Sequence, residues 1–411
     1  MGVVSLFSVA PEGSITSPKG FQAGGLHCGL KKTTRNDLGA IVCEVPAVAA
    51  AVYTTNVFQA APLKVTRESI ASGGRKLQAI VVNSGNANAC TGQQGEADAY
   101  AMRVAAAEAF GLPEHYVAVA STGVIGELLP MDRVQRGIAG LPAAVAVDGE
   151  GAEQFCQAIL TTDLVKKEVC VRLAVDGREV LIAGAAKGSG MIHPNMATML
   201  AFVTTDAAVE PQALQSLLGA TTDVTFNMIT VDGDTSTNDM LLAMASGLAD
   251  NRPLAPGHPD WEAFAAAFRH VCETLAQAIA RDGEGATRLV EVTVEGAVTD
   301  ESARRIAKTV VGSSLVKSAV FGADANWGRV IAAVGRAGEP VNPDTVDIRL
   351  GDIVVLSGSR PVPFDEEEAL AYLQGDTVVF HIDLHNGKGG ATAWGCDLTY
   401  DYVRINAAYR T

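Results

Sequence analysis

The residues that invite a chemical reading stand near the middle of the chain, in KGSGMIHPNMATMLAFV (187–203). Thr198 opens an apolar run that reads as a buried strand, behind a glycine-rich approach unsuited to a helix. A threonine hydroxyl is a weak nucleophile until a base accepts its proton. Breaking the Ala197–Thr198 bond would supply that base, because the freed α-amine has an ordinary pKa of about 7.7–8 and sits on the same residue. The hydroxyl can make the cut itself, by an N-to-O acyl shift followed by ester hydrolysis. That step wants a bent peptide and a small preceding residue, and Ala197 with its upstream glycines suits it. A threonine at a strand start is also an ordinary feature of folds, so the local pattern leaves both readings standing.

Other chemistries are poorly served. The chain has no G-x-S-x-G elbow, and its seven histidines have no distinctive context for a general base. GSGMIH places His193 where a dinucleotide fingerprint needs its third glycine. HNGKGGAT lacks the upstream glycine and the following Ser/Thr of a phosphate loop. DGDTSTND (232–239) resembles a calcium loop but has no glycine at its sixth position and Ala243 at its twelfth. His381 and His385 lie two apart from Asp383 on one face of an expected strand, where exposed strand histidines are a simpler account than a metal pair. No metal and no organic cofactor is expected.

Composition narrows the class. The 411 residues carry 48% hydrophobic and 19% charged side chains, enough for a substantial core over two or three domains or one large domain with an appendage. A net charge of −15 argues against a nucleic-acid partner, although a few lysines can still build a local anion site. The seven cysteines are scattered without a C-x-x-C pair and read as reduced thiols of a cytoplasmic protein. Neither a leader peptide nor a membrane-length apolar run is visible in the sequence.

Strand-like and helix-like segments alternate, which predicts a mixed α/β architecture. LQAIVVN (77–83) and YVAVAS (116–121) are apolar strands, and the second opens into TGVIGE. Between them Thr91 and Gln94 have capping-box spacing before an Ala-rich helix that should stop at Gly111. Residues 168–186 alternate about Asp176-Gly177 as a hairpin. Residues 261–281 show a helical apolar face, leaving Glu284 just past its end. From about 290 onward, strands and shorter helices suggest a separate C-terminal unit.

The segment KGSGMIHPNMATMLAFVTTDA resembles the signature of the ornithine acetyltransferase family, also called glutamate N-acetyltransferase or the arginine-biosynthesis bifunctional protein. NSGNANACTG, STGVIGE, AILTTD, TVDGDTSTND, DGEGAT, FGADANWGR and RINAAYRT extend the resemblance in order across nearly the whole chain. One departure is Ala325, where proline is common in the family. The resemblance implies a layered αββα-type core (1–290) like that of self-processing N-terminal-nucleophile enzymes, with a smaller α/β domain (291–411). It implies cleavage into chains 1–197 and 198–411, assembled as α2β2, with Thr198 as nucleophile. Thr122 and Gly123 match the oxyanion-hole pair. Thr161, Lys187, Glu284, Asn406 and Thr411 match substrate contacts.

The activity implied is acetyl transfer from N2-acetyl-L-ornithine to L-glutamate through an acyl-threonine, with acetyl-CoA as a further donor in some members. The nearest alternative is a self-cleaving amidase or aminopeptidase of related fold, in which water replaces glutamate. A binding protein that keeps the fold without catalysis is the third.

Overall fold

The computed structural model describes residues 6–193 and 199–408. Its first part runs β1 (Ser8–Val9), β2 (Phe21–Leu26), β3 (Leu38–Tyr53), α1 (Ala61–Ser72), β4 (Lys76–Asn86), α2 (Gly92–Phe110) and β5 (Val117–Val124). It continues with α3 (Met131–Gly140), α4 (Gly149–Ile159), β6 (Lys167–Val175), β7 (Arg178–Lys187), β8 (Leu200–Thr205), α5 (Pro211–Val224), β9 (Met240–Ala245) and α6 (Trp261–Arg281). The strands hydrogen-bond in the order β1-β6-β7-β8-β9-β3-β4-β5, with β2 beside β3.

The long strand β3 explains how this order becomes two layers. Its first half pairs with β2 and β4, its second half with β9, and its register with β4 slips between Val42 and Ala47. Pro46 lies in that slip, where a residue without an N–H cannot serve the ladder. The two halves of the sheet then share one core. Ile80, Val82, Ala118 and Ala120 belong to the same buried cluster as Phe202, Leu242 and Met244. Phe155 of α4 enters that cluster and meets Phe202 edge-on at 5.5 Å.

The outer faces carry helices. Ala79, Val81, Val117 and Val119 point the other way, into a cluster with Val65, Met102, Val134 and Ile138 of α1–α3. On the far side, α6 lies so close to β7 that a β-carbon on Gly184 would stand 2.7 Å from Leu275 Cδ1. The Gln215 side chain of α5 binds both backbone groups of Ala51 at 3.3 and 3.1 Å. The result is the expected αββα layering, and no described helix is long and apolar enough to cross a membrane.

A second unit comprises residues 189–194, 224–234 and 276–411, while the first takes 1–188, 195–223 and 235–275. Its regular elements are β10 (Leu289–Ala297), α7 (Asp300–Val311), α8 (Ser314–Phe321), α9 (Trp327–Gly335), β11 (Asp347–Leu350) and β12 (Ile353–Ser357). They finish with β13 (Arg360–Pro361), α10 (Glu366–Leu373), β14 (Thr377–Asp383), β15 (Gly389–Cys396) and α11 (Tyr400–Ala407). The sheet runs β13-β12-β11-β14-β10-β15, parallel only between β10 and β14. Segment 224–234 docks on its β15 edge, where Thr230 N donates to Trp394 O at 3.0 Å.

Two expectations need correction. Thr91 precedes α2, but its hydroxyl donates to Asn88 Oδ1 (2.7 Å) and Gln94 donates to Asp98 (2.8 Å), so no capping box forms. His385 is not on a strand face with His381. β14 ends at Asp383, whose carboxylate accepts the His385 N–H at 3.0 Å, and His385 turns to φ 49 and pairs with Asp347 at 2.8 Å. The seven cysteines are all unpaired, as read from the sequence.

Gly184→Val should destabilise the fold by about 1–3 kcal/mol through overpacking against Val271 and Leu275, read by urea denaturation.

Candidate functional site

In the first unit the chemistry-bearing residues gather where β4, β5 and β7 end. Thr122 and Gly123 lie at the close of β5, opposite Ser84 and Gly85 of β4 in parallel register. Gly123 has φ +134, a conformation that side chains rarely adopt, and a β-carbon there would stand 2.3 Å from the Gly85 carbonyl carbon. Only glycine fits. The strand end is locked beneath by buried amides. Asn238 Nδ2 donates to Ser121 O (2.8 Å) and to Ala87 O (2.5 Å). Asn83 accepts from Ser121 Oγ at 2.5 Å and donates to Asn86 O at 2.9 Å. Ser84 Oγ reaches Ala158 O at 2.5 Å, tying this strand end to α4 and hence to the turn that carries Thr161.

That turn is organised by Asp163, which is buried. Its carboxylate accepts from the Thr161 N–H (3.0 Å), the Gly188 N–H (2.6 Å) and Lys167 Nζ (2.7 Å), with Lys187 Nζ at 3.9 Å. Burial by itself would raise the Asp163 carboxyl; Lys187, Lys167 and the hydrogen bonds outweigh it and hold the group below the usual carboxylate range. Lys187 is buried as the last residue of β7 and pairs in register with Leu200 of β8. Thr161 and Lys187 therefore flank one fixed carboxylate.

In the second unit Glu284 is buried and accepts from Asn406 Nδ2 at 2.8 Å, while its own N–H donates to Ser189 O at 2.8 Å. A β-carbon on Gly190 would fall 2.4 Å from the Glu284 carboxylate, so the glycine permits this approach. Residues 189–193 are held by the segment TVDGD. Asp232 accepts from the Met191 and Ile192 N–H groups (2.6 and 2.9 Å), and Thr230 Oγ1 donates to Ile192 O at 3.1 Å. His193 Nδ1 lies 2.9 Å from Thr230 Oγ1; burial, with Lys308 added, brings its pKa down to about 4. A neutral, buried imidazole of that kind is a poor general base. Ala197, Thr198 and Thr411 lie outside the described residues.

A family model, the ArgJ family, matches residues 22–411. The chain belongs to the ArgJ family. Curated relatives match over nearly their whole length. The Geobacillus kaustophilus protein named arginine biosynthesis bifunctional protein ArgJ is 62% identical over 97% of both chains. The Bacillus anthracis protein of the same name is 58% identical over 99% of both. A crystal structure of the Bacillus halodurans ArgJ protein aligns with 60% identity and a TM-score of 0.51, covering 52% of this chain and all of that one.

Sequence reasoning missed Asp163, Asn238 and Asp232, although each sits inside a motif quoted for ArgJ resemblance. Asp163 had a usable signal, an acid followed by lysine four residues on. Asn238 had none, since its partners Ala87 and Ser121 are 151 and 117 residues away.

Asp163→Ala should cost about 3–5 kcal/mol by stranding Lys167 in the interior, measured by chemical denaturation. Because the Asp163 pKa falls on folding, its stabilising contribution is present above the unfolded value of about 3.9 and fades as pH drops toward the folded one. The gap between the stabilities of wild type and Asp163→Ala should therefore stay full above about pH 4 and narrow only as pH falls further below it.

Proposed function

We propose that this chain transfers the acetyl group of N2-acetyl-L-ornithine to L-glutamate, by ping-pong acyl transfer through Thr198. The observation that carries the reading is the end of β5. Gly123 takes a backbone that only glycine fits, and buried Asn238 and Asn83 lock Ser121 just before Thr122. Such preorganised donors stabilise an oxyanion far better than mobile ones. Membership of the ArgJ family supports the substrates, because relatives matched over nearly the whole chain are named for arginine biosynthesis.

In this reading the peptide before Thr198 breaks, and the new α-amine serves as base for its own hydroxyl. A length supports the break. The Bacillus halodurans crystal chain is wholly matched by 52% of this one, and residues 198–411 are 214 of 411, the same share. Threonine attacks the acetyl carbonyl, the Thr122 hydroxyl and Gly123 N–H receive the oxyanion, and ornithine leaves with the proton held by the amine. Glutamate's amine then attacks the ester and restores the free threonine. Lys187, with the hydroxyl and amide groups of Thr161, Thr411 and Asn406, suits the α-carboxylate, whereas Glu284 suits the ammonium end of ornithine. The two chains associate as α2β2 in the cytoplasm, and acetyl-CoA is a second donor consistent with the word bifunctional in the relatives' names.

Thr198→Ala should remain a single chain and show no transfer, as judged by denaturing electrophoresis with the acetylornithine assay. Thr122→Ala should be processed or not as wild type is, yet lose about 10²- to 10³-fold in kcat, the loss of one oxyanion donor. Running the wild-type assay with and without glutamate separates transfer from hydrolysis. Acetate release at the same rate in both would instead favour the amidase reading.

A further inference from the structure

The proposed reaction sets an electrostatic problem. Donor and acceptor share an α-carboxylate, so one cation serves both. Their side chains end in opposite charges, an ammonium on ornithine and a γ-carboxylate on glutamate. Glu284 suits the first and repels the second. A second cation is therefore required for the acceptor.

The loop between β2 and β3 supplies one. Its backbone is wound around the buried carboxylate of Asp37, which accepts from the N–H groups of Cys28 (2.7 Å), Gly29 (3.1 Å), Leu30 (2.7 Å) and Lys31 (3.0 Å). Four bonds to one fixed acceptor leave the loop little freedom. The Lys31 stem passes over Gly85, with Cγ 3.5 Å from where a Gly85 β-carbon would be. Gly85 is the register partner of Gly123, so Lys31 lies on the strand pair that ends in the proposed oxyanion donors. Its ammonium donates to Asn36 O at 2.7 Å, a neutral partner. Asp37 is taken up by backbone donors, and Asp163 by Lys167, Gly188 and Thr161.

We infer that Lys31 is the second cation of the acceptor site, receiving the γ-carboxylate of glutamate while Lys187 holds the α-carboxylate.

The charges around it fit this task. Partial burial, with Arg35 and Lys187 added, brings the Lys31 ammonium down to about 8, against the opposing pull of Asp37 and Asp163. A partly desolvated cation close to another cation gains by receiving an anion. Lys31 then loses its proton, and its hold on glutamate, as pH rises past about 8.

The inference rests on the proposed acetyl transfer, and the test separates the two. Wild-type enzyme given acetylornithine without glutamate is followed for ornithine release in the first turnover. If none appears, the acetyl-transfer reading itself fails. Given release, Lys31→Met should keep that first turnover but raise the KM for glutamate about ten-fold or more, the loss of one charged hydrogen bond. Lys31→Arg should restore most of the affinity and flatten the rise in glutamate KM expected of wild type above about pH 8. Transfer to an acceptor with an uncharged side chain, L-2-aminobutyrate, should be the same in wild type and Lys31→Met. An unchanged glutamate KM in Lys31→Met would overturn the assignment. So would an equal loss on both acceptors, which marks a merely structural role.

Discussion

A single buried carboxylate governs the architecture of the site in the first unit. Asp163 binds the turn after α4 through Thr161, the chain leaving β7 through the Gly188 N–H, and two lysines through charge. Burying an anion is costly unless the surrounding donors replace water, and here three close donors and a nearby second cation do so. The constraint runs outward from it. Lys187 is held at a place with little solvent, at the last position of β7 and directly across from the start of β8. The approach to the Ala197–Thr198 bond therefore begins from a fixed point.

The second constraint is steric. Gly123 against Gly85, and Gly190 against Glu284, are approaches that a single methyl group would forbid. In both places polar groups are brought to a backbone too closely for any other residue. The buried amides of Asn83, Asn86 and Asn238 then fix the backbone that glycine left free to move. Close approach with rigid support is what oxyanion stabilisation demands, since the donors must be in place before the charge develops.

Much of this was legible in the sequence, for definable reasons. Strands β4, β5, β7 and β8, helix α6 and the turn at Asp176-Gly177 follow from local periodicity and turn chemistry, which depend on neighbours along the chain. The layering was legible through family resemblance, and Pro46 marks the register slip at which β3 passes from one layer to the other. The support of the site was not legible. Asn238 reaches Ser121 across 117 residues, and Asp37 gains its meaning only when a loop closes around it. The capping box failed for a related reason, because Asn88 competed for the Thr91 hydroxyl. His385 left its strand when Asp383 captured its N–H, a local turn that alternation could not reveal.

The central claim is that an acetyl group rests on the hydroxyl of Thr198 between donor and acceptor. Intact-mass spectrometry of the purified protein, mixed with acetylornithine in the absence of glutamate, tests it most directly. The account predicts two chains, the one beginning at Thr198 heavier by one acetyl group, with that mass lost again when glutamate is added. A single uncut chain of 42.6 kDa that still catalyses transfer, or a cleaved protein that transfers acetyl without carrying it, would contradict the account.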